Sequence, residues 1–154
     1  DVLDGLRGLP DQSRGAVTAI HLFEHLTPTR LLAVLAEVRR VLEPNGLLIA
    51  EFPNPHSLRV GAALYWIDPT HVRPLMPETF ELYLSSSGFE VDRRDGIHPF
   101  PEDQLFSSVP RSVDASTDEL EMLRERLDRV CQRLDELVNG ARDVAVWARR
   151  PDNE

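Results

Sequence analysis

The stretch Gly46-Leu-Leu-Ile-Ala-Glu-Phe-Pro-Asn54 most narrows what this chain can fold into. It carries no polar residue until Glu51, is introduced by Pro44-Asn-Gly46 and is stopped by Pro53-Asn-Pro55. A short apolar run between turn signals reads as a strand buried on both faces, the kind found in the middle of a parallel sheet. A parallel neighbour needs a crossover, and the preceding residues supply one. Ala16-Val-Thr-Ala-Ile-His21 is β-branched and apolar after a glycine, which predicts a strand. Between the two strands, Thr27 is an N-cap candidate and Pro28 suits the first helical position, while Leu31, Val34, Leu35, Val38, Val41 and Leu42 share one face. Arg39 and Arg40 fall in the last turn of this helix, and Pro44 closes it. Strand, helix and strand with short joints form a right-handed parallel unit.

The flanks extend the alternation. Residues 1–15, with Gly5, Gly8, Pro10 and Gly15 among scattered leucines, have the composition of a short helical turn and a loop. Residues 54–76 form the longest irregular segment, rich in polar and aromatic side chains, and a loop of that length in a compact domain is commonly functional. A second helix runs from Pro77 to Gly88, with Gly88 as its left-handed terminator, and Phe89-Glu-Val-Asp-Arg-Arg94 alternates as a strand. Pro99, Pro101 and Pro110 punctuate a loop before a helix over about 117–139, which Ser116-Thr-Asp-Glu119 opens with capping-box spacing and Asn139-Gly140 stops. Leu120, Leu123, Leu127, Val130, Leu134 and Leu137 recur in this helix at steps of three and four, a coiled-coil seam of about two and a half heptads. Packing against its own sheet is the favoured expectation for that seam, and pairing with a second copy is the alternative. Asp143-Val-Ala-Val-Trp-Ala-Arg-Arg-Pro151 reads as a final strand.

Length and charge then exclude several classes. At 154 residues and 42% apolar, the chain is expected to fold as one domain. A net charge of -9 argues against a phosphate-neutralising nucleic-acid surface. No apolar run reaches the length of a membrane span and no signal peptide is evident, so a cytoplasmic location is expected. Cys131 is the single cysteine, which fits a reducing compartment and excludes an internal disulfide. The chain opens at Asp1, without methionine, in mid-pattern, and is expected to be a fragment or processed product.

Several motifs together carry a family resemblance. They are His21-Leu-Phe-Glu-His-Leu26, Glu37-Val-Arg-Arg-Val-Leu-Glu-Pro-Asn-Gly-Leu-Leu-Ile49, Glu51-Phe-Pro-Asn-Pro55, Asp68-Pro-Thr-His-Val-Arg-Pro74 and Gly88-Phe89. In them the sequence resembles the class I S-adenosylmethionine-dependent methyltransferases, of a bacterial type that modifies sugars or surface-glycan precursors. The resemblance implies a three-layer α/β, Rossmann-like fold. The family's sheet runs 3-2-1-4-5-7-6, and this chain would retain strands 4-5-7-6, with the last strand antiparallel. The family also grips its donor through a glycine-rich turn after the first strand. Here the closely spaced Gly5 and Gly8 follow no strand, so the segment by itself is expected to be inactive. Its first strand would then expose an apolar edge, to be paired with a second copy or covered by a rearranged terminal segment.

The resemblance also implies site residues. Asp1 would face the adenine, and His21 and Glu24 would line the cofactor, with His25 on the substrate side. Glu24 and His25 can equally be read as opening the next helix. Asp68 and His71 are read as a catalytic pair in which histidine takes the acceptor proton and the carboxylate orients it, or else as a structural turn. Glu51, Asn54 and His56 follow the central strand and could meet substrate, although turn formation suits Asn54 better. Tyr65 and Trp66 could stack on a sugar face or cover the core, and Arg73 is a further substrate candidate. The spacing of His21, His25, His56 and His71 is not diagnostic of a metal, and none is expected. The rival reading is a non-catalytic module that self-associates through the 117–139 helix.

Overall fold

A computed structural model describes residues 1–106 and 117–152. Four strands form one sheet in the order β1-β2-β4-β3, with β1 at Arg14–Ile20, β2 at Leu42–Pro53, β3 at Glu90–Ile97 and β4 at Asp143–Arg149. β1 pairs with β2 in parallel, and β4 is antiparallel to both β2 and β3. This is the expected 4-5-7-6 order with the last strand reversed. The helices are α1 (Val2–Arg7), α2 (Pro28–Val41), α3 (Leu58–Ala62), α4 (Pro77–Ser86) and α5 (Asp118–Val138). Short 3₁₀ turns occupy Phe23–His25, Leu64–Ile67 and Glu102–Gln104.

The crossover forms for the reasons legible in its sequence. The Thr27 hydroxyl accepts from the Arg30 amide, Pro28 occupies the first turn, and Leu31, Val34, Leu35, Val38 and Val41 are buried. The boundary after α2 differs from expectation. The helix ends at Val41 and the chain enters β2 at once at Leu42, so Pro44 lies inside the strand. Register explains this, because Arg14 faces Leu42 while Ala16 already faces Leu47, and the residues between loop out. Asn45 takes φ of 62° there, and a Cβ on Gly46 would lie 2.8 Å from the Glu43 carbonyl oxygen, so the turn requires glycine.

β2 is not buried equally on its two faces, contrary to the sequence reading. Leu48, Ala50 and Phe52 are fully buried, and their partners across β4 are Ala148, Val146 and Val144. Phe23 and Phe80 close over this face, with ring centroids 4.8 Å apart, and Phe80 meets Phe52 at 5.1 Å. The helices α2 and α4 supply the rest of that core. On the opposite face Leu47, Ile49 and Trp147 are only half-buried, and the Arg93 guanidinium stacks 4.1 Å over the Trp147 ring.

Two other expectations about packing need correction. The terminal helix α1 does not cover the β1 edge but lies on α2, where Arg40 donates to the Leu6 and Leu9 carbonyls, and β1 stays largely exposed. Nor does α5 pack its seam on the sheet. It has no buried residue, and Leu123, Leu127 and Leu137 are all more than half exposed. The helix is tied down at its C-terminal end, where the Ser57 hydroxyl donates to Val138 and the Asn139 amide donates to Gln104. Thr117 caps α5, accepting from the Leu120 amide, whereas the expected Ser116 cap and the Pro110 turn lie outside the described residues.

Gly88 ends α4 at φ of 81°, and a Cβ there would lie 2.8 Å from the Arg39 guanidinium nitrogen. The left-handed conformation costs a non-glycine residue roughly 1–2 kcal/mol. Gly88→Ala is therefore expected to destabilise the fold by at least that amount, read as a lower midpoint in urea or thermal unfolding with secondary structure intact below the transition.

Candidate functional site at the carboxyl edge of the sheet

The strand order brings four distant residues to one edge. β1 and β2 end there, β4 starts there, and β3 ends there because it runs antiparallel to β4. His21 follows β1, Glu51 lies near the end of β2, Asp143 opens β4 and His98 follows β3. The His21 Nε2 atom is 3.6 Å from Glu51 and 3.9 Å from Asp143, while His98 Nδ1 is 3.6 Å from Glu51 and 2.9 Å from Asp143. Both histidines hold positive φ, 49° and 55°, an uncommon conformation that clusters at functional sites.

Behind this row sits Glu24, only 1% exposed. The first oxygen of its carboxylate is 3.1 Å from His21 Nδ1. Its second oxygen has no hydrogen-bond partner among the described residues. Glu24 lies in the 3₁₀ turn that precedes α2, and burying a carboxylate there is costly unless something meets its charge.

A second group packs beside Glu24. The Asp68 carboxylate accepts from both the amide and the hydroxyl of Thr70, which hold its pKa below the usual carboxylate range. Since the Thr70 hydroxyl spends its only proton on Asp68, His25 Nδ1, 2.9 Å away, must be the donor in that contact. His71 Nδ1 lies 2.6 Å from the Tyr65 carbonyl oxygen and must likewise carry its proton. In the neutral form both imidazoles are therefore left with a lone pair on Nε2. The His25 and His71 ring centroids are 4.7 Å apart, and His71 also lies 4.3 Å from the Tyr65 ring. Pro53, Val60, Leu64, Tyr65, His71 and Asp143 line a cavity of about 240 Å³ that links this group to the row above.

Several sequence-nominated residues lie elsewhere. Tyr65 is buried, with its hydroxyl 3.5 Å from the Glu24 carbonyl oxygen, so its ring does not offer a free face, whereas Trp66 stays exposed. Asn54 forms the turn: its side-chain oxygen accepts from the His56 amide and its nitrogen donates to Ala141. His56 faces Glu78 at 3.1 Å, Arg73 donates to the Tyr83 hydroxyl, and Asp1 caps α1 while ion-paired with Arg30. Asp68 is 4.0 Å from His71 Nε2, whereas through the Thr70 hydroxyl its carboxylate is tied to His25 instead. Thr70, His98 and Asp143 were missed in the sequence, and no local spacing marks them, since sheet order alone makes Asp143 a neighbour of Glu51.

The fold is an α/β, Rossmann-like one with a four-stranded mixed sheet, of the kind seen in methyltransferase structures. A profile described as a methyltransferase domain matches residues 2–50. A crystal structure of an S-adenosylmethionine-dependent methyltransferase from Archaeoglobus fulgidus is 28% identical, with a TM-score of 0.81 over 97% of this chain and 65% of that one. The [4+2]-cyclase SpnF is similar at 16% identity and a TM-score of 0.60, over 99% of this chain and 56% of its own. A Mesorhizobium loti S-adenosylmethionine-dependent methyltransferase is 16% identical with a TM-score of 0.53, over 92% and 64%. The chain thus spans about two thirds or less of the length of these structures. No curated protein matches by sequence.

Burial, and next to it the Glu24 carboxylate, pushes the Tyr65 phenol up to about 12. A phenol raised in the folded state stabilises the fold fully below the ordinary phenol range and loses that contribution as pH rises through about 12. An alkaline titration followed by tyrosinate absorbance is expected to show a transition near that pH coincident with unfolding, and Tyr65→Phe is expected to abolish it.

Proposed function

We propose that this chain is the acceptor-side portion of an S-adenosylmethionine-dependent methyltransferase that transfers a methyl group to a hydroxyl of a sugar or glycan-type acceptor. The comparisons imply S-adenosylmethionine as the cofactor. The residues present fit one side of that ligand. His21 and Glu24 bring polar atoms to the carboxyl edge, where such folds collect ligands. The chain's own close-spaced glycines form no cradle. Gly5 lies in α1 with nothing within 4 Å of its Cβ position, and Gly8 is an ordinary right-handed helix terminus at φ of -75°. When bound, the cofactor supplies the electrophilic methyl group.

The observation that carries the reading is the fixed tautomer of His71. Its Nδ1 proton is held by the Tyr65 carbonyl, which leaves Nε2 as the basic atom of a side chain that lines the cavity. A base so oriented suits removal of a hydroxyl proton as the methyl moves, with Asp68 and Thr70 holding the neighbouring His25 in place. Rate would come chiefly from holding the two reactants in line. In a chain joining this segment to a glycine-rich donor half, His71→Gln is expected to lower kcat about 10²–10⁴-fold with donor affinity unchanged. The 154 residues alone are expected to bind the cofactor more weakly than micromolar in calorimetry. Unchanged kcat in the variant would remove His71 from the reaction, and tight cofactor binding by the segment would overturn the division of the site.

A second reading has its own observation. The α5 seam, exposed at each of its apolar positions, supports a role in self-association, with or without catalysis, and the exposed β1 strand offers a second surface for it. If α5 mediates pairing, Leu127→Glu with Leu134→Glu is expected to halve the mass measured by sedimentation equilibrium and to leave the sheet's circular dichroism unchanged. Among the described residues no helix is long and apolar enough to cross a membrane.

A further inference from the structure

The row at the sheet edge has a geometry that the methyl-transfer reading does not require. Its four side chains, one associated with each strand, run His21, Glu51, Asp143 and His98 along the sheet order, two carboxylates between two imidazoles. The four histidine-to-carboxylate distances are 3.6, 3.9, 3.6 and 2.9 Å. A tetrahedral ion with nitrogen and carboxylate ligands at about 2.0–2.1 Å has its ligand atoms roughly 3.3 Å from one another. Ligand atoms of His21, Glu51 and Asp143 all lie within 4.8 Å of one another, a set that one such ion can draw together, and His98 flanks it against the second oxygen of Asp143.

Charge points the same way. Glu51 and Asp143 have side chains only 17% and 15% exposed, and their oxygens lie within 4.8 Å of each other and of the His21 nitrogen. Two carboxylates held this close repel unless positive charge meets them, which either protonated His21 and His98 or a metal ion can supply. A divalent ion with two neutral imidazoles neutralises the pair, and two nitrogen ligands favour a first-row transition ion over magnesium or calcium. Behind the row, His21 Nδ1 is 3.1 Å from the buried Glu24 carboxylate, the carboxylate–imidazole pairing that orients metal-binding histidines. The side chains of His21 and His98 remain 45% and 50% exposed, which leaves an entry path and room for an oxygen ligand from outside.

We infer that His21, Glu51 and Asp143 form a binding site for one divalent transition-metal ion, of which zinc is the best fit, with Glu24 orienting His21 and with His98, which stands against Asp143, turning in as the fourth ligand. The site opens beside the cavity that His71 lines, through the shared residue Asp143. The inference shares His21 and Glu24 with the proposed cofactor side of the site, and its test reads metal binding alone.

The test is calorimetric titration of the 154-residue chain with zinc chloride, without donor or acceptor, alongside the electronic spectrum of the cobalt-loaded protein. One equivalent is expected to bind, with a cobalt spectrum characteristic of nitrogen and oxygen ligands. His98→Gln and Asp143→Asn are each expected to weaken zinc at least about tenfold, and Glu24→Gln by about 10–100-fold. Circular dichroism checks that each variant folds, and the cobalt spectrum of the unaltered chain keeps the test decisive if one does not. Absence of saturable binding would overturn the inference. So would binding that is indifferent to His98 and Asp143, or binding abolished by His25→Gln alone, which would assign the ion to the Glu24, His25 and His71 group instead.

Discussion

Hydrogen bonding of β2 along both of its edges is the constraint on which the rest of this structure depends. A strand paired on one side only would leave β4 free to run elsewhere. Because β2 pairs in parallel with β1 and antiparallel with β4, the end of one and the start of the other are forced to the same edge. β3 joins by pairing antiparallel with β4, and its final residue reaches that edge too. The pairing is held by a core in which Leu48, Ala50 and Phe52 meet α2 and α4 through Phe23, Leu35, Phe80 and Leu84. Burial of apolar surface at about 25 cal/mol per Å² makes this face the main source of stability. The chemistry at the edge is therefore a consequence of a core several residues away from it.

Glu24 shows what that rigidity permits. A carboxylate taken out of water is costly, and one left half-satisfied is more so. The chain holds it nonetheless, with His21 on one oxygen and the Tyr65 hydroxyl near its backbone carbonyl, between two clusters of imidazoles. Positions that break the usual rules of burial are where function tends to reside. The same fold in SpnF, a [4+2]-cyclase, shows that architecture alone does not name a reaction, so the functional reading here rests on side chains at the edge.

The helix α5 is stabilised in a different way from the other long helices. Most protein helices draw their stability from packing one apolar stripe, whereas α5 buries none of its seam. Its N-cap on Thr117, acidic first turn and tether at Val138 hold it in place while the seam faces outward. An apolar stripe of that length on a helix is characteristic of an interaction surface.

The sequence by itself determined the elements. Turn residues, capping and apolar spacing located both strands of the crossover, α2, α4 and its Gly88 terminator, α5 and the final strand, because each of these signals is local in the chain. It also drew attention to His21, Glu24, His25 and His71, which lie close to one another along the strand-to-helix joints. Only the tertiary structure decided which of these residues meet. His98 and Asp143 reach Glu51 because antiparallel pairing folds distant segments onto one edge, and no spacing in the sequence encodes that. Tertiary packing likewise buried Tyr65, committed Asn54, His56 and Arg73 to other partners, and left the α5 seam exposed. Periodicity reveals which face of a helix is apolar, but what covers that face depends on where the rest of the chain has already packed.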